Sequence, residues 1–297
     1  KGSGNGIVVP IESSAQSLAD LKGKTISVPF ASTAHGMLLR AVAAQGLGPV
    51  GDGLGIDQPL ERHLGLGQAI AVALAQHGAR VICASSTMQG SEATAAKISA
   101  AGGNAMVLAA DLSNEVAVEQ LASAALALGP VHILVNCGGT IFRAPAHQFP
   151  MHEWHKVMAV NVDAAFLLSQ RLGAEMIKRQ KGKIINIASM LSYSGGITVP
   201  AYTASKHAIA GVTKALANEW AQHNIQVNAI APGYFSTDNT AALQADTARN
   251  AAITARIPAG RWGEPEDLAG AAVFLASKAS DYVNGHVLAV DGGWLAR

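Results

Sequence analysis

Apolar and polar residues follow two different periods along most of this chain. Short apolar runs rich in β-forming residues, such as "RVICAS", "HILVNC" and "GKIINI", predict buried strands. Longer segments between them, such as "SEATAAKISAAGG" and "AYTASKHAIAGVTKALANEW", repeat apolar residues every three or four positions and predict helices. From residue 64 onward the two patterns alternate, which indicates a parallel sheet covered by helices on both faces.

Ligands of such sheets bind at the carboxyl ends of the strands, and one segment at a predicted strand end carries acid–base chemistry. Ser189 ends the strand "GKIINIAS", and Tyr202 and Lys206 are four residues apart on the following helix, so they share a face. A lysine cation beside a tyrosine favours the phenolate, and we expect it to lower the pKa of Tyr202. A serine could then hold the oxygen of an alcohol within reach of the phenol. An isolated tyrosine and lysine at this spacing would indicate only a surface pair.

Composition narrows the classes of function. The 297 residues suffice for one large α/β domain, and a net charge of +1 gives no basic excess for nucleic acid or membrane surfaces. We therefore expect no nucleic-acid or membrane partner. No apolar run suggests a membrane span, and no signal-peptide pattern is present. The two cysteines, Cys83 and Cys137, form no metal-binding pattern or disulfide framework, so we expect a cytoplasmic protein without a metal.

Several spaced motifs carry a family resemblance. Residues 64–297 resemble the short-chain dehydrogenases/reductases in "NCGG", "MAVNVDAAF", the serine, "YTASK" and "APG". The resemblance implies a Rossmann-like, doubly wound α/β fold with a single main domain. It implies oxidation and reduction of an alcohol and a ketone with a nicotinamide cofactor. The catalytic residues that it implies are Asn161, Ser189, Tyr202 and Lys206. The cofactor-binding residues that it implies are Gly65, Gly67, Ser85, Asp111, Leu112, Asn136, Gly138, Tyr202, Lys206, Pro232, Gly233 and Thr237.

A narrower similarity concerns the substrate. "GTIFRAPAHQFP" and "RIPAGRWGEPEDL" are similar to members that act on sugar acids of the gluconate type, at C5. Arg143 could bind a substrate carboxylate through its guanidinium, or it could be a solvated surface residue. Tyr234 and Trp294 could line the substrate side, but aromatic core packing is the alternative for both, and the stronger one for Trp294.

The residue that would contact the cofactor ribose at the end of the second strand does not indicate a preference for NAD or NADP. An acid at the end of the second strand would accept the 2′-hydroxyl, and an arginine would bind a 2′-phosphate. This chain has Ser85 there, followed by Ser86 and Thr87, and hydroxyls serve either cofactor. Since the sugar-acid relatives mostly use NAD, we expect NAD, with NADP as the alternative.

The phosphate-binding glycine loop is incomplete. The family pattern T-G-x-x-x-G-x-G ends here on Gly65 and Gly67, but Leu60 and Glu61 stand in place of its threonine and first glycine. A carboxylate there would repel a pyrophosphate. No strand pattern directly precedes the loop, although the fold requires a central strand at that point. A natural or engineered fusion, an error in the sequence, or replacement by an upstream strand would each explain this.

The first residues differ from the remainder of the chain. Residues 1–50 resemble a fragment of periplasmic binding proteins for aliphatic sulfonates, through "SLADLKGKTISV". "ASTAHG" could bind an anion, although simple helix capping by Ser32 or Thr33 explains it as well. We therefore divide the chain into an atypical N-terminal segment, 1–56, and a dehydrogenase domain, 57–297.

The missing strand is predicted to be "KTISVPF", residues 24–30, between "RVICAS" and "HILVNC". An empty central position would leave many buried backbone groups unpaired, at about 1 to 3 kcal/mol each. Pro29 donates no hydrogen bond, so pairing should end near residue 29. Gly65 and Gly67 should then be displaced from an ideal phosphate cradle, and cofactor binding should be weak. A binding or scaffold protein that has lost its cofactor is the alternative function.

Assembly is predicted from the long helical regions 151–180 and 201–223. Both carry apolar residues on more than one side, so we expect a homotetramer.

Overall fold

The computed structural model describes residues 25–28, 65–237 and 240–297. The strands are β1 (Thr25–Val28), β2 (Arg80–Ser85), β3 (Asn104–Ala109), β4 (Ile133–Asn136), β5 (Gly182–Ile187), β6 (Ile225–Pro232) and β7 (Val287–Val290). They form one seven-stranded sheet in the order β3-β2-β1-β4-β5-β6-β7, and every pairing is parallel. The parallel sheet predicted from the alternating patterns is confirmed.

Helices cover both faces of this sheet. They are α1 (Leu66–Gln76), α2 (Met88–Ala100), α3 (Glu115–Ala127), α4 (Met151–Met158), α5 (Ala164–Lys178), α6 (Pro200–Trp220), α7 (Ala241–Ala245), α8 (Thr247–Arg256) and α9 (Ala269–Ala276). One hydrophobic cluster packs α1 and α9 on one face, and a second packs α3, α5 and α6 on the other. The doubly wound α/β class is therefore confirmed. Within the described residues, every helix is too short or too polar to span a membrane.

The central strand is the one predicted. Thr25–Val28 pairs with Arg80–Cys83 of β2, and Ile26 and Ser27 pair with Ile133 and Leu134 of β4. β1 therefore fills the position between "RVICAS" and "HILVNC". The strand is described as far as Val28, and the expected end of pairing near Pro29 concerns a residue outside the described ones. Lys24, Pro29 and Phe30, the other residues of the predicted span, lie outside the described residues, as do Leu60 and Glu61.

Single residues in the local sequence fix the start of two helices and of one strand. Thr87 and Asn114 precede α2 and α3, and their side chains accept hydrogen bonds from the backbone N–H groups of Gly90 (3.2 Å) and Ala117 (3.2 Å). Asn224 turns the chain into β6 with a left-handed φ of 55°, which asparagine tolerates better than most residues. Because all strands are parallel, these connections leave the carboxyl ends of β2 to β6 at one edge.

Candidate active site

Ser189 follows β5 and begins a short turn, Met190–Ser192, at the carboxyl edge of the sheet. Its hydroxyl accepts a hydrogen bond from the N–H of Leu191 (3.1 Å), while its own N–H donates to the hydroxyl of Ser192 (3.3 Å). The Ser192 hydroxyl in turn donates to the backbone carbonyl of Lys206 (2.6 Å). This chain of bonds fastens the turn that carries Ser189 to the helix that carries Tyr202 and Lys206.

Tyr202 lies in the first turn of α6, which Pro200 begins. Burial raises the pKa of the Tyr202 hydroxyl, while the hydrogen bond with Ser189 and the charge of Arg143 act in the opposite direction. The net direction is opposite to the lowered pKa predicted from the sequence, so that prediction is wrong for the free protein. The reason is that loss of solvent around a phenolate outweighs the favourable partners.

Lys206 is buried and points toward the end of β5. Its Nζ donates to the carbonyl oxygen of Ile187 (2.7 Å) and lies 5.5 Å from the centre of the Tyr202 ring. Burial lowers the pKa of Lys206 to about 8, and the neighbouring Cys137 opposes this. The structure therefore brings Ser189, Tyr202 and Lys206 together, as predicted.

Asn161 lies in a π-helical turn, Ala159–Asp163, between α4 and α5. Its Oδ1 accepts a hydrogen bond from the N–H of Thr140 (2.7 Å), and its Nδ2 donates to the carbonyl oxygen of Thr140 (3.0 Å) and the hydroxyl of Ser205 (3.0 Å). π-helical turns occur often at functional sites. Here the turn places a buried amide that joins the loop after β4 to α6.

Three predicted cofactor residues share one cavity at the same edge. It is lined by Leu112, Asn136, Gly138, Val160, Ala164, Ala165 and Leu168. The lining is apolar except for Asn136, whose buried Oδ1 has no hydrogen-bond partner. An apolar cavity beside one unpartnered buried acceptor is the feature that these three predicted cofactor residues share.

The Asn136 side chain also has a structural task that its sequence motif did not reveal. Its Nδ2 lies within hydrogen-bonding distance of the hydroxyl of Ser169 (2.9 Å), Oδ1 of Asn186 (2.9 Å) and the carbonyl oxygen of Ala165 (3.2 Å). The Nδ2 of Asn186 in turn donates a hydrogen bond to the hydroxyl of Thr213 on α6 (2.9 Å). Asn136 therefore links β4, β5, α5 and α6 beneath the site.

The remaining cofactor candidates on the first half of the sheet lie at strand or helix ends. Gly65 is the N-terminal cap of α1, with open space where a side chain would project, and Gly67 is buried inside that helix. The Ser85 hydroxyl donates to the carbonyl oxygen of Thr87 (2.7 Å) and lies 3.1 Å from the hydroxyl of Ser91. Asp111 is exposed, and hydrogen bonds from Ser113 hold the pKa of its carboxyl below the ordinary value.

Pro232 is the last residue of β6, and Gly233 and Thr237 follow that strand. A side chain at Gly233 would approach within 2.7 Å of the backbone of Asp291, so glycine is required there for close packing against the chain after β7. The backbone N–H of Thr237 donates to the hydroxyl of Thr240 (3.0 Å).

The substrate candidates differ in their surroundings. Arg143 is exposed, and its charge acts on Tyr202 across the site. Tyr234 is half-buried between Trp262 and Trp294, with ring centres 5.2 Å and 4.9 Å away. Trp294 is buried, with the Arg256 guanidinium 3.9 Å from its ring centre, so core packing, the stronger alternative for Trp294, is confirmed.

Sequence reasoning did not identify Thr140, Ser192 or Ser205, which hold the site together. Ser205 directly precedes Lys206, and Ser192 lies three residues after Ser189, so both are close in sequence to predicted site residues. Their tasks depend on contacts over 14 to 44 positions of sequence, which no local pattern encodes. Among the described residues, no group of three or more His, Cys, Asp or Glu side chains could hold a metal ion.

Comparison with known proteins agrees with this site. A family model described as enoyl-(acyl carrier protein) reductase matches residues 61–295. The chain belongs to the short-chain dehydrogenase/reductase family, and it is an oxidoreductase of that family. It is 54% identical over 233 residues to 2-dehydro-3-deoxy-D-gluconate 5-dehydrogenase of Bacillus subtilis, a match that covers 78% of this chain and 91% of the relative.

Solved structures give the same result. One of them is a Beutenbergia cavernae protein with NADP bound at low occupancy, which is 44% identical to this chain with a TM-score of 0.81. The match covers 95% of this chain and 100% of the other. The gluconate 5-dehydrogenase of Burkholderia cenocepacia, solved with NADP and tartrate, is 33% identical, with a TM-score of 0.78 and coverage of 94% and 99%. The resemblance of residues 1–50 to sulfonate-binding proteins is not borne out by these comparisons.

Proposed function

We propose that this protein is an NAD(P)-dependent dehydrogenase that interconverts a secondary alcohol and a ketone at C5 of a gluconate-type sugar acid. One observation carries the proposal: Ser189, Tyr202 and Lys206 converge at the carboxyl edge of the sheet, with Arg143 close enough to act on Tyr202. The substrate class follows from the names of the relatives, 2-dehydro-3-deoxy-D-gluconate 5-dehydrogenase and gluconate 5-dehydrogenase.

The proton chemistry belongs to Tyr202. As a phenolate it takes the hydroxyl proton of the alcohol, and as a phenol it returns that proton to the carbonyl oxygen. Ser189, already hydrogen-bonded to Tyr202, orients the substrate oxygen. Lys206 supplies a nearby ammonium and a donor for a cofactor ribose, and Asn161 supports a water-linked proton path from the loop after β4. When bound, the nicotinamide supplies or accepts the hydride.

The residues present fit a dinucleotide at the adenine side. Leu112, Asn136 and Gly138 line one cavity, where the Asn136 Oδ1 is buried without a partner, and exposed Asp111 directly precedes Leu112 on the chain after β3. On the nicotinamide side, Tyr202 and Lys206 would meet the cofactor, with Pro232, Gly233 and Thr237 beyond β6. Gly65 and Gly67 at the start of α1 would approach the pyrophosphate.

The end of β2 gives no preference for NAD over NADP. Ser85 uses its hydroxyl within its own turn, and neither a carboxylate nor a guanidinium stands at Ser85, Ser86 or Thr87. A 2′-phosphate would therefore meet no acidic side chain at these positions. We propose that the protein accepts both cofactors, which widens the expectation of NAD.

The decisive experiment is a screen of sugar acids with both nicotinamides, followed by Tyr202→Phe. Loss of the only proton-transferring hydroxyl should reduce turnover by roughly a hundredfold to ten-thousandfold. Tyr282→Phe removes the hydroxyl of a fully exposed tyrosine and is the matched control. Turnover of Tyr202→Phe within a few-fold of the parent would exclude this mechanism.

Cofactor affinity tests the incomplete loop. Because Leu60 and Glu61 replace the threonine and first glycine of the family pattern, we propose that NADH and NADPH bind more weakly than the remainder of the site suggests. Fluorescence titration measures this directly, and Glu61→Gly should strengthen binding by removing a carboxylate. Absence of binding at millimolar concentrations would favour a scaffold protein instead.

We also propose that the protein is a homotetramer that works in the cytoplasm. Small residues lie among the exposed and half-buried positions of α6, namely half-buried Ala204 and Ala208 and exposed Gly211 and Ala215, and Phe166 of neighbouring α5 is 42% exposed. Gly211→Arg enters open space in one subunit and should lower the mass measured by light scattering. Gly195→Arg, also in open space, is the control, and a monomeric parent would refute the tetramer.

We also propose a division of the chain between residues 56 and 57, which separates two kinds of sequence, although β1 from the first segment lies in the central sheet of the second. Cys83 and Cys137 are buried and form no disulfide with each other, which supports a reducing compartment.

A further inference from the structure

We propose that Tyr234 is a specificity-determining residue, whose hydroxyl binds a hydroxyl group of the substrate that does not react. The inference rests on the proposed function in one respect, namely that the substrate is a sugar acid with several hydroxyl groups. It adds to that function the side chain that distinguishes such a substrate from a simple secondary alcohol.

Tyr234 lies at the same edge of the sheet as Ser189, because their strands are neighbours. Ile187, the last residue of β5, is paired with Ile230 of β6, and the N–H of Ala188 donates to the carbonyl oxygen of Ile230 (2.8 Å). Ser189 lies two residues beyond Ile187, and Tyr234 lies four residues beyond Ile230. Since both strands are parallel, the two segments leave the sheet side by side at the edge where ligands bind.

The Tyr234 ring packs beside the turn that carries Ser189. Met190 directly follows Ser189 and shares one hydrophobic cluster with Trp262 and Trp294, and Tyr234 packs against this cluster. The ring centres of Trp262 and Trp294 lie 5.2 Å and 4.9 Å from that of Tyr234, at interplanar angles of 65° and 64°. These are edge-to-face contacts, which aromatic rings favour. Because both tryptophans are buried, the ring of Tyr234 is fixed between them.

Each tryptophan is itself held by α8. The indole N–H of Trp262 donates to Oδ1 of Asn250 (2.9 Å) and to the hydroxyl of Thr254 (3.1 Å). The guanidinium of Arg256 lies 3.9 Å from the centre of the Trp294 ring. The position of the phenol is therefore set before any substrate arrives, which is the condition for selective recognition of a small group.

The Tyr234 hydroxyl has no hydrogen-bond partner among the described residues, although the side chain is half-buried. The hydroxyl groups of Tyr193 and Tyr202 each bond to another residue, and Tyr282 is fully exposed. Tyr234 is therefore the one tyrosine of the four whose ring is fixed while its hydroxyl meets no other described residue. A phenol hydroxyl donates one hydrogen bond and accepts another, as the hydroxyl of a sugar does, so a polyol is the ligand that it fits.

The test compares D-gluconate with 5-hydroxyhexanoate, which retains the carboxylate and the C5 hydroxyl but lacks the other hydroxyl groups. Tyr234→Phe keeps the ring between the tryptophans, and Tyr282→Phe, at a fully exposed tyrosine, is the matched control. The unfolding midpoint of Tyr234→Phe should equal that of the parent, because the lost hydroxyl holds no described residue. A lower midpoint would show that the hydroxyl bonds within the protein.

We expect kcat/KM for D-gluconate to fall roughly threefold to tenfold in Tyr234→Phe, the net effect of one hydrogen bond between uncharged groups. The value for 5-hydroxyhexanoate should not change, and Tyr282→Phe should alter neither. The pH dependence of kcat should also stay that of the parent, because Tyr202 is untouched. Equal losses on both substrates would overturn the proposal, since the hydroxyl would then act on the carboxylate, the cofactor or the proton transfer. No loss on either would mean that it binds only water.

A binding measurement makes the test independent of turnover. Tyrosines labelled with ¹³C at the ring carbon that bears the hydroxyl are followed by NMR in the Tyr202→Phe protein with NAD added, and Tyr234→Phe in that background assigns the Tyr234 signal. D-gluconate and the uncharged polyol sorbitol should shift this signal, and 5-hydroxyhexanoate should shift it less. A signal that moves with neither polyol would overturn the proposal. If the parent oxidises no sugar acid, the proposed function fails, while this measurement still decides whether Tyr234 binds a polyol.

Discussion

Lys206 donates a 2.7 Å hydrogen bond from Nζ to the backbone carbonyl oxygen of Ile187, at the last residue of β5. The bond holds the ammonium at the edge of the sheet, 5.5 Å from the centre of the Tyr202 ring. It does not replace the solvent that the ammonium loses, because the pKa of Lys206 falls from 10.5 to about 8. The free protein therefore carries a destabilising cation at its active site.

Lys206→Met should make the free protein more stable while it abolishes activity. The folded pKa of about 8 lies below the unfolded value of 10.5, so the cost is fully present below pH 8 and disappears as pH rises to 10.5. After allowance for the lost hydrogen bond, we expect a gain of roughly 1 to 3 kcal/mol at pH 7. Urea denaturation at pH 7 and pH 10 measures it, with exposed Lys214→Met as control. Equal gains at both pH values would contradict the assignment.

Asn136→Ala should destabilise the fold beyond any effect on cofactor binding. The substitution removes the donor to Asn186 Oδ1 and leaves that buried acceptor without this partner, at a cost of about 2 to 3 kcal/mol. Thermal and urea unfolding measure it without cofactor. The same change at exposed Asn218 on α6 should stay within about 0.5 kcal/mol. A cost at Asn136 no greater than at Asn218 would show that the network contributes no stability.

Two glycines should respond to alanine with opposite signs. A methyl group at Gly263 would overlap the ring of buried Phe235, with which it forms a β-bridge, and should cost roughly 1 to 3 kcal/mol. Gly270 lies in α9 with open space around it, so Gly270→Ala should stabilise by about 0.5 to 1 kcal/mol. The unfolding midpoints of Gly263→Ala and Gly270→Ala measure these two changes in stability. An unchanged midpoint in Gly263→Ala would mean that the Phe235 ring moves away at no cost.

Ile26→Pro tests whether β1 is the central strand. Proline removes a backbone donor from a strand that pairs on both sides, which should cost about 3 kcal/mol or more. Ile26→Val retains the N–H and β-branching and is the control. Circular dichroism and urea unfolding measure both variants. A folded Ile26→Pro protein with the stability of Ile26→Val would place the central strand elsewhere.

The sequence allowed the fold to be predicted further than the electrostatics of the site. The spacing of apolar residues predicted the strands and their carboxyl ends. The need to pair buried backbone groups predicted the position of β1. The direction of the Tyr202 pKa did not, because it depends on how much solvent the phenol loses, and spacing along a helix contains no information on burial. Asn136 shows a second limit. Its motif marked a cofactor residue, but only the packing of α5 and α6 on β4 reveals that its amide also connects four elements.

The position of β1 also bears on the order in which the chain folds. Thr25 pairs with Arg80, and Ile26 pairs with Ile133, so the middle of the sheet joins segments that are far apart in sequence. Closing such long loops adds little to the equilibrium cost, since each doubling of length adds only about 0.6 kcal/mol. The effect falls on the rate, because distant pairings form slowly. Until β1 docks, β2 and β4 present two open edges, and a short peptide with the sequence of residues 22–31 could occupy the position in its place. Such a peptide would rescue a chain that lacks its first residues, or block refolding of the intact chain.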